Sequence, residues 1–210
     1  MSVTKIVKIN DKLGWAYYKI ESGWEQLLAL SVFTAADLQA LQTITHPRKK
    51  AEYLSSRIAL YDLLAVYNIP HTHLSKDMYG KPFLTDTDLH ISLANSYPYG
   101  VAVLNLDRAT GIDIELPSNK LLRVQHKFLH AHELHLQDDI EQLCLAWCTK
   151  ECLYKLHGQQ KLSLKDHIRI IELEYPLSPL ISAEIFLDDC WSPYQLLIER
   201  IENFFIVLSV

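Results

Sequence analysis

Apolar and polar residues alternate along the first twenty positions, so VTKIVKIN and WAYYKI read as two strands turning near Asn10-Asp11. From Ser22 the apolar period lengthens to that of a helix. Ser22 is placed to cap GWEQLLAL, Thr34 to cap AADLQALQT, and RKKAEYLSSRIALYDLLAVYN forms a long periodic helix closed by Pro70. Strand character returns in LHISLA, GVAVLNL and GIDIEL. A second helical stretch opens after Pro117-Ser118, runs through KLLRVQHKFLHAHELHLQ and leads to a long helix around Glu151, with Gly158 as its C-cap. The tail alternates again: HIRIIELE, ISAEIFLD, then YQLLIERI and FFIVLSV turning at Glu202-Asn203.

This order of elements predicts an α+β protein of two similar α/β halves, residues 1–108 and 109–210. Ligand sites favour such interfaces, so the active site is expected in a cleft between the halves. Hydrophobic residues make up 49% and charged ones 21% of the 210, which suits a folded globular chain rather than a disordered one. A net charge of −5 gives no reason to expect nucleic acid as a partner. No apolar run approaches the ~20 residues of a membrane span, and the start lacks the apolar core of a signal peptide. Cys144, Cys148 and Cys152 recur at helical spacing with Cys190 apart, which is not a disulfide framework; a reducing cytoplasm is expected.

The candidate chemistry starts in AWCTKECLYKLHG, residues 146–158. Apolar residues surround this helix on most sides, yet Lys150, Glu151 and Lys155 sit among them. Buried charges must be paired or must hold a metal, since unpaired burial costs several kcal/mol, roughly. In Gly111-Ile112-Asp113-Ile114-Glu115 a period of two puts Asp113 and Glu115 on one face, where two carboxylates repel unless a cation lies between them. Hard oxygen ligands in this number suit Mg²⁺, which takes one or two carboxylates and completes its shell with water and phosphate. Two acids on a strand, one on a helix and two ammonium groups together suit Mg²⁺ and a polyphosphate. His126, His130, His132 and His135 crowd QHKFLHAHELHL without the HExxH spacing of a zinc protease, and read better as an exposed helix or loop.

GIDIE followed by WCTKECLYK resembles the signature of the 4′-phosphopantetheinyl transferases, in particular the long, two-halved branch typified by the surfactin-synthetase-activating enzyme. The resemblance implies transfer of the 4′-phosphopantetheine arm of coenzyme A to a serine of an apo acyl or peptidyl carrier protein, with release of adenosine 3′,5′-bisphosphate. It implies Mg²⁺ on Asp113, Glu115 and Glu151, with Glu151 and Lys155 as catalytic residues. It also implies coenzyme A contacts from Arg48, Arg57, Lys81, Asn95, Ser96, Lys150 and Lys155, and a monomer in which each half supplies one side of the cleft. Lys120, Arg123 and Lys127, near the second motif, would then steer an acidic carrier.

One stretch departs from the family pattern. Where the family has Asn-x-Ser-His-Ser, this chain has Ser92-Leu93-Ala94-Asn95-Ser96. Asparagine donates hydrogen bonds but cannot become cationic. Loss of one charge-assisted bond weakens binding by about 1.5–3 kcal/mol. The alternative implied is a non-catalytic, coenzyme A-binding member of the same fold.

Overall fold

The computed structural model describes residues 4–70, 72–158 and 162–210. Val3, at the start of the expected first strand, lies outside the described residues. The chain divides into two compact units, the first ending at Thr110 and the second running Gly111–Val210. The sequence reading drew this division at 108/109.

In the first unit, β1 (Lys5–Lys8) and β2 (Leu13–Lys19) pair antiparallel about Asn10, whose side-chain oxygen accepts from the Lys12 and Leu13 amides. A single helical turn, α1 (Trp24–Leu27), follows. Its N-cap is Gly23 with no side-chain cap bond, not the expected Ser22. Helix α2 (Ala35–Thr43) begins at Thr34, which exchanges bonds with Asp37 in a capping box. Helix α3 (Pro47–Val66) starts with proline at its first position, where the missing N–H costs nothing.

A hairpin of β3 (Leu74–Lys76) and β4 (Pro82–Leu84) comes next, unforeseen from the sequence because each strand has three residues. Then β5 (His90–Ser96) and β6 (Tyr99–Asn105) complete an antiparallel sheet in the order β1-β2-β6-β5. Helix α3 packs on β6, β2 and β5. It comes so close at Gly100 that a Cβ there would stand 2.2 Å from Ser55 Oγ and 2.3 Å from the Ser56 nitrogen. Leu54, Leu60, Leu63, Val101 and Leu104 are among its fully enclosed core residues.

The second unit opens on β7 (Ile112–Glu115) and closes on β8 (Ile168–Leu173), β9 (Leu180–Leu187), β10 (Cys190–Ile201) and β11 (Phe204–Ser209). These five form one antiparallel sheet in the order β7-β11-β10-β9-β8. Between β7 and β8 lie α4 (Asn119–Val124), two short 3₁₀ segments (Gln125–Lys127 and Ala131–Leu136) and α5 (Ile140–His157). Asp139 caps α5 by accepting from the Glu141 and Gln142 amides, and Gly158 ends it in the left-handed conformation.

The helix expected to continue through residue 137 is therefore broken into pieces. The cause is Glu133, whose carboxylate is drawn into the interior, so the segment cannot lie as an exposed helix. Among the described residues no helix is long and apolar enough to cross a membrane.

Candidate active site

Among the described residues strand β7 is an edge strand, hydrogen-bonded to β11 alone, with Asp113 opposite Val207 and Glu115 opposite Phe205. Ile112 and Ile114 are buried beneath it. Helix α5 packs on β7 and β11, and Gly111 permits the contact: a Cβ there would lie 2.1 Å from the Cys152 carbonyl oxygen. The small thiols Cys144, Cys148 and Cys152 line the interior side of α5 and are wholly buried. Cys144 Sγ donates to the Glu115 carbonyl at 3.7 Å. Burial pushes the Cys148 and Cys152 thiols up, so these are packing residues and not nucleophiles.

Across this contact Lys155 Nζ donates to Asp113 Oδ1 at 2.6 Å and to the Ile112 carbonyl at 3.3 Å. Burial pulls the Lys155 ammonium down, but the charges of Asp113 and Glu151 outweigh it and hold the group above its usual range. Glu151 is half-buried one helical turn before Lys155. Its carboxyl is pushed up by burial and by the negative charges of Asp113 and Glu115, and Lys155 offsets only part of this. The four side chains therefore form one electrostatic cluster in which the acids outnumber the base three to one.

Among the described residues no group of three His, Cys, Asp or Glu side chains converges closely enough to hold a metal ion. Here Lys155 sits on the carboxylate expected to be a metal ligand. The donor set nevertheless fits Mg²⁺ in kind: three hard carboxylates whose mutual repulsion already raises Glu151. Beside Glu115 opens a cavity of about 300 Å³, largely apolar, lined by Lys120, Leu121, Lys127, Trp147 and Leu164. Lys120, Arg123 and Lys127 are all exposed.

Lys150 is a correction. It was expected to grip a phosphate, but its ammonium is wholly buried and saturated within the second unit. It pairs with Glu133 Oε2 at 2.7 Å and donates to the Leu164 and Ile168 carbonyls at 3.0 and 2.7 Å. An ammonium has three N–H groups, and all are used.

Arg57 is a second correction. Its guanidinium, 6% exposed, pairs with Asp37 at 2.8 Å, donates to the Tyr53 carbonyl at 3.1 Å and stacks 3.3 Å from the Tyr53 ring centroid. Thr34 and Tyr61 also donate to Asp37. Arg57 is a core residue of the first unit rather than a phosphate contact.

Arg48 keeps its exposure. Its guanidinium lies 4.3 Å from the centroid of Tyr97, the residue after Ser96, and bonds Glu52 at 3.2 Å. Arg48, Trp24 and Tyr97 border an open hollow of about 730 Å³ that Glu21 and Glu25 also line. Asn95 is exposed near the end of β5, opposite Gly100, with Ser96 half-buried beside it. Lys81 closes the turn of the β3–β4 hairpin, where its amide donates to Asp77 at 2.9 Å. Burial lowers its ammonium against the pull of Asp77.

Two residues that hold these elements were missed. Glu133 was hidden among the histidines, although His130-x-x-Glu133 has capping-box spacing and a buried lysine demands a carboxylate. Asp37 was read only as part of a helix, although Thr34-x-x-Asp37 is the same signal.

The match to known proteins falls on this site. Residues 109–202 match the model of the 4′-phosphopantetheinyl transferase superfamily. The matched segment holds Asp113, Glu115, Glu133, Lys150, Glu151 and Lys155, and so nearly all of the second unit; Arg48, Arg57, Lys81, Asn95 and Ser96 lie outside it. No curated protein matches the chain.

Proposed function

We propose that the protein transfers the 4′-phosphopantetheine arm of coenzyme A to a serine of an apo acyl or peptidyl carrier protein, as a holo-carrier synthase of the surfactin-activating type. One observation carries this reading. A superfamily-matched segment places Lys155 on Asp113 at 2.6 Å, beside a Glu151 carboxyl raised by burial and by Asp113 and Glu115.

In this reading Asp113, Glu151 and Glu115 would hold Mg²⁺ once Lys155 leaves Asp113, and the ion would supply the charge neutralisation that makes the bisphosphate a better leaving group. The carrier serine Oγ attacks the phosphorus on the pantetheine side of the pyrophosphate. The P–O bond to adenosine 3′,5′-bisphosphate breaks, and the serine proton passes to Glu151 or to a water it orients. Lys155, freed from Asp113, meets the charge on the leaving oxygen. Arg48, Lys81, Asn95 and Ser96 of the first unit grip the phosphates of coenzyme A, so the reading includes the shared cleft expected above and, with it, a pseudo-twofold pairing of the two similar halves. Lys120, Arg123 and Lys127 face the carrier.

A second reading is a coenzyme A-binding protein without transfer. Ala94 and Asn95 favour it, as does the withdrawal of Arg57 and Lys150 into the core, because Ala94 removes a hydroxyl and each of the others a cationic group from the phosphate grip. Release of adenosine 3′,5′-bisphosphate from coenzyme A, followed chromatographically with an apo carrier and Mg²⁺, separates the two. Release that depends on the carrier and is lost in Glu151→Ala supports transfer. Bound coenzyme A with no release in the wild-type protein moves the reading to binding alone.

A further inference from the structure

Lys150 is tethered in three directions, to Glu133, to the Leu164 carbonyl and to the Ile168 carbonyl. Glu133 is equally enclosed. Its Oε2 also accepts from the His130 amide and its Oε1 from the Ile170 amide, both at 2.6 Å. Both side chains are wholly out of solvent, so neither can touch a substrate. A buried ion pair is weak evidence for stability, because apolar residues of similar volume often serve as well; fixing a register is its best-attested use.

Apart from Lys155 itself, the other directional contacts of α5 are weaker: long thiol bonds from Cys144 and Cys148 to the Glu115 and Phe205 carbonyls at 3.7 and 4.0 Å, and Gln142 and Glu141 at its first turn to the Tyr175 carbonyl and Arg200 at 3.3 and 3.7 Å. Leu143, Cys144, Leu145, Cys148, Cys152 and Leu153 are small or apolar and wholly buried, and apolar burial discriminates poorly between rotations about the helix axis. Successive side chains leave an α-helix about 100° apart, so Glu151 and Lys155 point within about 40° of each other while Lys150 points well away from both. Pinning the azimuth of Lys150 therefore pins the other two.

We infer that the Glu133–Lys150 pair is a positioning device, which sets the rotation of α5 at which Glu151 and Lys155 meet Asp113 on β7. The geometric part stands on these contacts alone; its catalytic consequence rests on the transferase reading. It ties the 3₁₀ segment Ala131–Leu136 and strand β8 to the site without either touching a reactant.

Two variants of the full chain test this: Glu133→Asp, which keeps both charges but shortens the tether, and Glu133→Gln combined with Lys150→Met, which removes the pair. The first readout is the ¹⁵N signal of the Lys155 ammonium, held in wild type by Asp113 and the Ile112 carbonyl. The second is transfer kinetics. A folded variant is expected to lose or shift the Lys155 signal. Its turnover falls by about 100-fold, the scale of a misplacement near 1 Å. Its KM for coenzyme A changes far less than its turnover, because Arg48, Lys81, Asn95 and Ser96 of the first unit keep their phosphate contacts.

A folded variant with the wild-type Lys155 signal and turnover overturns the inference. If the double variant does not fold, Glu133→Asp decides. If the wild-type protein transfers nothing, the functional reading fails by itself. The Lys155 signal still judges the positioning role: a change in the folded variant supports it and no change overturns it.

Discussion

Lys150 and Lys155 share one helix, and the structure gives them opposite surroundings. Lys150 meets a buried carboxylate and two carbonyls, whereas Lys155 keeps 28% of its side chain exposed and sits among three acids. Lys150→Ala leaves Glu133 charged and enclosed, which should cost roughly 3–5 kcal/mol. Lys155→Ala should cost markedly less while abolishing transfer; urea unfolding of the two variants checks the order.

Glu151 carries the opposite sign from a stabilising carboxylate. Its folded pKa is raised above 4.5, so the folded protein holds that proton more tightly than the unfolded chain. Raising the pH from the unfolded value through the folded one removes stability, and above that window the loss is complete. Glu151→Gln should therefore raise Tm at neutral pH in the absence of divalent cations, although it ends transfer. A lower Tm would mean that the acids do not repel as described.

Asp37 behaves in the reverse way. Burial raises its carboxyl, but the Tyr61 hydroxyl and Arg57 outweigh this and hold it below 3.8. Its stabilising contribution is present above 3.8 and is lost as pH falls through the folded value. The stability gap between wild type and Asp37→Asn should shrink as urea unfolding is repeated at successively lower pH below 3.8. Binding of coenzyme A should follow Arg48 rather than Arg57, because only Arg48 is exposed.

At the scale of elements, each unit sets one long helix on an antiparallel sheet through a glycine. The Cβ that Gly100→Ala or Gly111→Ala adds meets backbone atoms at 2.3 and 2.1 Å, contacts that no side-chain rotation relieves. Each should destabilise by about 1–3 kcal/mol or more, measured as a shift of the urea midpoint. Gly111→Ala should also cut transfer, because α5 must move off β7.

Periodicity made the long elements legible. Helices α2, α3 and α5, with caps at Thr34 and Gly158, and strands β5 to β11 follow from apolar spacing and turn residues. It did not disclose β3–β4, whose strands are too short to show a period, nor the 3₁₀ break, which depends on a long-range partner for Glu133. The candidate site divides the same way. Strand spacing pairs Asp113 with Glu115 and helix spacing pairs Glu151 with Lys155, while the resemblance to the transferase signature is what joins the two pairs. Spacing alone could not tell that Lys150 and Arg57 turn inward, since a charged residue on a helix reads alike whether its counter-ion is a protein carboxylate or a phosphate.

At the scale of the whole molecule, the cysteines report on one unit only, since all four follow residue 110. Cys190 is exposed, while Cys144, Cys148 and Cys152 are buried free thiols. A thiol reagent should modify one cysteine in the native protein and four in denaturant. The appearance of the last three times the opening of the second unit's core, independently of the first unit. Fast native labelling of more than one would contradict the packing of α5.

The central claim is that the acids of β7 and α5 serve phosphopantetheine transfer. The most direct test is the intact mass of an apo acyl carrier protein after incubation with this protein, coenzyme A and Mg²⁺, with Glu151→Ala alongside. The account predicts that the carrier gains one phosphopantetheine group with the wild-type protein and none with the variant. An unchanged carrier mass across several unrelated carriers, or an equal gain with Glu151→Ala, would contradict it.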